Sequence, residues 1–137
     1  MILVETDVLL ALVSKGDKHH GEAVRLLDMF EGETLLSPYA LVELNLLIRS
    51  GEVAVREVGA FYTALGNLLE YRAVDLLPSK PLYHAKAYEL RRRYKQLTYF
   101  DSLHAAASIV EEAGLVSYDR TYTNIANLKY NHPAKYV

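Results

Sequence analysis

The most constraining feature of this chain is a set of short apolar runs set between stretches of helical periodicity. Ile2 to Val4, Thr34 to Leu36, Tyr71 to Leu77 and Leu115 to Tyr118 each read as a strand, and the intervening segments read as helices. The helices are expected at Asp7 to Val13, around Ala23, Leu26, Leu27 and Phe30, and from Pro38 to Arg49. Three more are expected from Ala54 to Leu69, Lys80 to Lys95 and Asp101 to Ala113, with a last short helix and strand around Tyr122 to Leu128. Strands this short and this apolar are buried on both faces, which is the condition of a parallel sheet covered by helices. The alternation predicts an α/β fold. Pro38 to Arg49 is apolar nearly all round and is expected to be central, with Ser37 as its N-cap and Pro38 at its first position.

A chain of 137 residues, about half of them hydrophobic, is expected to form a single domain with one core over residues 1–137. The net charge of −2 removes any whole-chain argument for binding a polyanion, so such a partner must meet a local patch. The absence of cysteine excludes disulfides and thiolate metal sites and is compatible with a cytoplasmic setting. The N-terminus has no basic segment, apolar core and small-residue cleavage site, so no signal peptide is expected. The uncharged stretch Val58 to Leu69 is too short to span a membrane.

The chemistry lies in the acids. Glu5 and Asp7 stand where the first strand ends, and Asp119 where the fourth ends, the position at which parallel sheets bind ligands. Asp101 opens a buried helix and fits a capping box with Thr98. Glu43 is flanked on its helix by Tyr39, Ala40, Leu46 and Leu47, so no cation on that helix can pair with it. It is expected at an exposed edge, against a distant Arg or Lys, or facing a metal ion. Each acid has a plain structural role open to it, including Asp7 against a helix dipole and Asp119 as a cap. Carboxylates gathered without cations raise one another's charging cost, and a hard divalent ion such as Mg²⁺ or Mn²⁺ relieves it. Metal-assisted phosphodiester hydrolysis follows as the chemical expectation.

These residues carry a family resemblance along nearly the whole chain. "VETDVLLAL", "LLSPYALVELNLLI" around Glu43, "LTYFDSLHAAAS" around Asp101 and "GLVSYDR" around Asp119 resemble the PIN-domain nucleases, in particular the VapC-type toxins of toxin–antitoxin pairs. The resemblance implies a three-layer α/β/α sandwich with a small central parallel sheet, an acidic pocket holding Mg²⁺ or Mn²⁺, and cleavage of RNA to 5′-phosphate and 3′-hydroxyl ends. It implies an antitoxin partner and a homodimer. Glu43, Asp101 and Asp119 take the second, third and fourth acidic positions. The first position departs from the family's usual Asp-Thr-Ser or Asp-Thr-Asn, reading Glu5, Thr6 and Asp7 here. Glu5 is a methylene longer and must fold back or push the ion outward. Asp7 is the alternative ligand, and both are expected within reach of the site.

The basic run Arg91, Arg92, Arg93 and Lys95 is the other charged feature. It is a solvated helix face or a contact for RNA phosphates or an acidic antitoxin tail. His104, one helical turn beyond Asp101, is a minor candidate to point near the acids. The tyrosines are assigned to packing, with no base-stacking platform evident. The alternative to a nuclease is a PIN-like scaffold that binds RNA or protein without cleaving. A phosphoacceptor receiver domain is disfavoured, since Asp75 falls inside a strand and not after it.

Overall fold

The computed structural model describes residues 1–136. The order is β1 (Ile2–Val4), α1 (Thr6–Val13), α2 (His20–Met29), β2 (Thr34–Leu36), α3 (Ala40–Ser50), α4 (Val58–Tyr71) and β3 (Asp75–Leu76). α5 (Pro81–Arg93), α6 (Tyr99–Glu111), β4 (Gly114–Val116), a 3-10 turn (Arg120–Tyr122) and β5 (Tyr130–Asn131) follow, and a second 3-10 turn (Pro133–Tyr136) ends the described chain. The strands form one sheet in the order β3-β2-β1-β4-β5, every pair parallel. This is the expected α/β/α architecture. Helices cover both faces because each β1 residue faces the opposite way from the next. Ile2 and Val4 pack with Leu36 and Val116 against α1 to α4, while Leu3 packs with Leu115 against α5 and α6.

Chain order decides where a ligand can enter. From β1 the chain builds outward through β2 and β3, then returns to lay β4 on the other side of β1. The strand order therefore reverses between β1 and β4, and the crevice beyond their carboxyl ends is the binding position of open α/β sheets. Residues 5 to 7 and 117 to 119 border that crevice.

Several local expectations change. α3 is not central: only Ala40 and Leu44 are buried, and Val42 and Leu46 are about half exposed at 55% and 46%. Its N-cap is Tyr39 rather than Ser37, and Gly51, at φ +84°, ends it in the left-handed conformation that glycine adopts most readily. Residues 54–57 stay outside α4, which begins where the Glu57 carboxylate accepts from the Gly59 amide and runs on to Tyr71. That extension shortens β3 to Asp75–Leu76. The final strand pairs at Tyr130–Asn131, beyond the expected Tyr122 to Leu128.

Candidate active site

β1 delivers Glu5 directly into the N-cap of α1. Its Oε1 accepts from the Asp7 amide at 3.1 Å, and its Oε2 accepts from the Tyr122 hydroxyl at 2.7 Å. The glutamate folds back, as the extra methylene requires, and is only 6% exposed. Burial pushes its carboxyl up to about 7; the bonds from Tyr122 and Asp7 oppose the rise and nearby Glu43 adds to it.

Asp101 arrives from α6. Thr98 caps that helix in the expected capping box: its hydroxyl accepts from the Asp101 amide at 3.2 Å, and Asp101 Oδ2 accepts from the Thr98 amide at 3.1 Å. The cap leaves Asp101 Oδ1 turned to the Tyr122 hydroxyl, 3.3 Å away. Thus one fully buried phenol lies between carboxylates from β1 and α6. Desolvation and those neighbouring charges hold Tyr122 well above the ordinary phenol range.

Glu43 meets this group from α3. Among the described residues no Arg or Lys pairs with it; its Oε1 takes the Thr6 hydroxyl and the His104 Nε2, the latter at 2.9 Å. His104 is fully buried beside Glu43, and its Nδ1 lies 2.6 Å from Ser37 Oγ.

Asp7 follows on α1, and its carboxyl lies within hydrogen-bond reach of that of Glu5. Its Oδ2 accepts from the Ser117 hydroxyl at 2.8 Å and the Tyr118 amide at 2.9 Å, fastening α1 to the end of β4. Its Oδ1 is buried without a partner. Burial and the adjacent Glu5 charge push Asp7 up to about 8. Asp119 is exposed and Oδ1 accepts from the Thr121 amide, the plain capping role. It joins Asp7 only through Ser117, whose hydroxyl accepts from the Asp119 amide.

The five acids therefore sit around one crevice in a linked set. Glu5, Asp101 and Glu43 are connected through Tyr122, Thr6 and α1, Asp7 meets Glu5 directly, and Asp119 joins Asp7 through Ser117. Among the described residues no three His, Asp or Glu side chains close on a single point that could hold a metal ion. Mg²⁺ does not require three, because it keeps several waters and is held by one or two carboxylates. The donor set is all hard oxygen, two buried carboxylates lack a cation to support their charge, and Asp7 Oδ1 is orphaned. These features fit a hard divalent ion.

Tyr122 and Ser117 were not singled out in the sequence, and Ser37 only as a helix cap, because nothing separates one Tyr or Ser among many until the sheet order brings it to the site. The basic run lies at the end of α5. Arg91 donates to Ser102 at 2.8 Å and lies over Tyr99, Arg92 lies over Tyr88, and Arg93 over Tyr94. Arg92, Arg93 and Lys95 are exposed. An apolar cavity of about 320 Å³, lined by Leu12, Val24, Phe61, Leu65 and Leu68, touches none of the acids. No helix among the described residues is long and apolar enough to cross a membrane.

Known proteins agree with this architecture. A toxin–antitoxin complex from Klebsiella pneumoniae aligns with a TM-score of 0.71 at 16% identity, covering 97% of this chain and 98% of that one. VapBC2 from Rickettsia felis, bound to a DNA fragment from its promoter, aligns with a TM-score of 0.76 at 19% identity over 96% and 98%. Mycobacterium tuberculosis VapC20, described as a Sarcin-Ricin loop cleaving toxin, aligns with a TM-score of 0.71 at 21% identity over 94% and 98%. No curated protein matches significantly in sequence. The family model for the PIN domain matches residues 2–128, and the chain belongs to the PIN-domain family.

Proposed function

We propose that this chain is a metal-dependent endoribonuclease, the toxin of a type II toxin–antitoxin pair. The observation that carries the reading is the meeting of Glu5 and Asp101, from β1 and α6, on the Tyr122 hydroxyl at the point where strand order reverses. Buried acids at that position cost stability and are retained for chemistry. The solved structures of similar fold include a toxin–antitoxin complex and a Sarcin-Ricin loop cleaving toxin, which supports the class of substrate and partner.

One or two carboxylates of this set, the Oε2 side of Glu43 with Glu5 or Asp101, would hold Mg²⁺ or Mn²⁺ together with waters, with Asp7 and Asp119 nearby in the crevice. When bound, such an ion neutralises charge developing on the phosphodiester and lowers the pKa of water. The chain's own residues do the rest. Tyr122 keeps Glu5 and Asp101 facing each other, and the Asp7 bonds to Ser117 and Tyr118 hold the end of β4 against α1. The exposed Asp119 carboxylate would take a proton from an attacking water.

The test is cleavage of a panel of fluorogenic RNAs by metal-free protein with and without Mg²⁺ or Mn²⁺. Ion-dependent cleavage that EDTA abolishes and that falls at least about a hundredfold in Asp101→Asn is expected. Cleavage that survives the substitution overturns the assignment of the site.

A second reading, a PIN scaffold that binds without cutting, is favoured by one observation: both Glu5 oxygens are already engaged by protein donors. Tight RNA binding with no cleavage under any divalent ion would select it. We further infer a cytoplasmic protein that forms a homodimer and pairs with a small antitoxin encoded beside it.

A further inference from the structure

His104 is the buried polar group that the mechanism above leaves without a task. Its ring has no solvent exposure and sits between Ser37 Oγ at 2.6 Å and Glu43 Oε1 at 2.9 Å. The directions of these bonds follow from the partners. Ser37 Oγ already accepts from the Tyr39 amide at 3.3 Å, so its own proton is free to point at His104 Nδ1. An ionised carboxylate has no proton to give, so Nε2 donates to Oε1. The bonds thus run one way, from the Tyr39 amide through Ser37 and the imidazole to Glu43.

Thr6 donates to the same oxygen. Oε1 therefore takes two donors, while no hydrogen bond among the described residues reaches Oε2. The Glu43 side chain is one-quarter exposed and feels the charge of Glu5. A glutamate with three free torsions in that field turns toward water, away from the like charge. Two donors on one oxygen prevent this and leave the other oxygen uncommitted.

We propose that His104 is a positioning residue that, with its tautomer set by Ser37, fixes Glu43 so that Oε2 is presented to a divalent cation. The proposal rests on the metal-dependent reading above and deepens it. Carboxylates that ligate metals are held by such outer partners, whose loss costs about tenfold to a hundredfold in affinity.

Mn²⁺ binding by calorimetry tests the proposal on metal-free wild type, His104→Ala and His104→Gln, with circular dichroism melts for each. Glutamine carries an amide N–H near the place of Nε2 and can donate to Oε1. His104→Ala should weaken Mn²⁺ binding by about tenfold or more, and His104→Gln should recover most of it. Long-range ¹⁵N–¹H NMR of the wild type should show His104 protonated at Nε2 and bare at Nδ1. Equal Mn²⁺ affinity in wild type and the alanine variant overturns the proposal. So does a folded glutamine variant as weak as alanine, an Nδ1–H tautomer, or failure of both variants to fold, which would make His104 a core-filling residue. A wild type that takes up no Mn²⁺ overturns the metal reading itself and with it the proposal. Wild-type binding thus separates the two failures.

Discussion

Tyr122 has a single proton and two carboxylates facing it, and the shorter bond shows where that proton lies: 2.7 Å to Glu5 against 3.3 Å to Asp101. Its removal leaves Glu5 buried with one fewer donor, so Tyr122→Phe should raise the Glu5 pKa further and lower stability. A hydrogen bond to a charged group is worth about 1.5–3 kcal/mol, and urea unfolding at pH 8 should read a loss of that order. The same surroundings make stability depend on pH in an uncommon direction. Glu5 lies at about 7 against 4.5, and Asp7 at about 8 against 3.8, in each case chiefly from burial. The folded chain then holds protons that the unfolded chain releases, so these groups impose no penalty below the unfolded values and one that grows with pH until it levels off above about 7 and 8. In EDTA, the Tm should fall between about pH 5 and pH 8, and Asp7→Asn should flatten that fall while keeping an oxygen for Ser117 and Tyr118. A Tm that climbs over this range would show that Glu5 and Asp7 ionise freely.

At the scale of elements, α6 combines a stability device with a site. Thr98 and Asp101 cap each other, and the cap is what leaves Asp101 Oδ1 toward Tyr122. Thr98→Ala should cost about 1 kcal/mol in chemical denaturation, and should also lower cleavage because Asp101 loses its fixed rotamer. Unchanged cleavage with the expected stability loss would separate the two tasks. This box was legible in the sequence, since a Thr three residues before an Asp at the head of an apolar run has a local physical meaning. The core strands were legible for a similar reason: Ile2–Val4 and Thr34–Leu36 are short, apolar runs bounded by turns. α3 misled because its apolar residues look alike in one dimension, and only the packing of Ala40 and Leu44 leaves Val42 and Leu46 outside. β3 was overdrawn because Tyr71 extends α4 before the chain turns into the sheet. The acids could be picked out one by one, whereas their linkage through Tyr122, Ser117 and His104 depends on sheet order and on contacts far apart in the chain.

On the proposed function, the whole molecule must bring a polyanion to an acidic crevice while carrying a net charge of −2. Exposed apolar residues on α3 give the first consequence. Val42 and Leu46 are the surface a homodimer would cover, and Val42→Asp with Leu46→Asp should convert a dimer to a monomer in light scattering. An unchanged mass would place any interface elsewhere. The second consequence concerns the far end of α5. Arg92 and Arg93 are exposed, and among the described residues neither pairs with a carboxylate, so both are free for phosphates. Arg91 is already committed to Ser102 and Tyr99, beside Asp101 on α6, and its loss should disturb the helix contact more than the binding of RNA. Each phosphate neutralised on a single strand contributes about 0.7 to the slope of log affinity against log salt. The pair Arg92→Ala and Arg93→Ala should therefore reduce that slope by about 1.4, with RNA binding followed by fluorescence anisotropy across a salt series on an Asp101→Asn background that prevents cleavage. A slope equal to that of the parent would mean that RNA reaches the acids across a different face, and that this basic run is the solvated end of a helix.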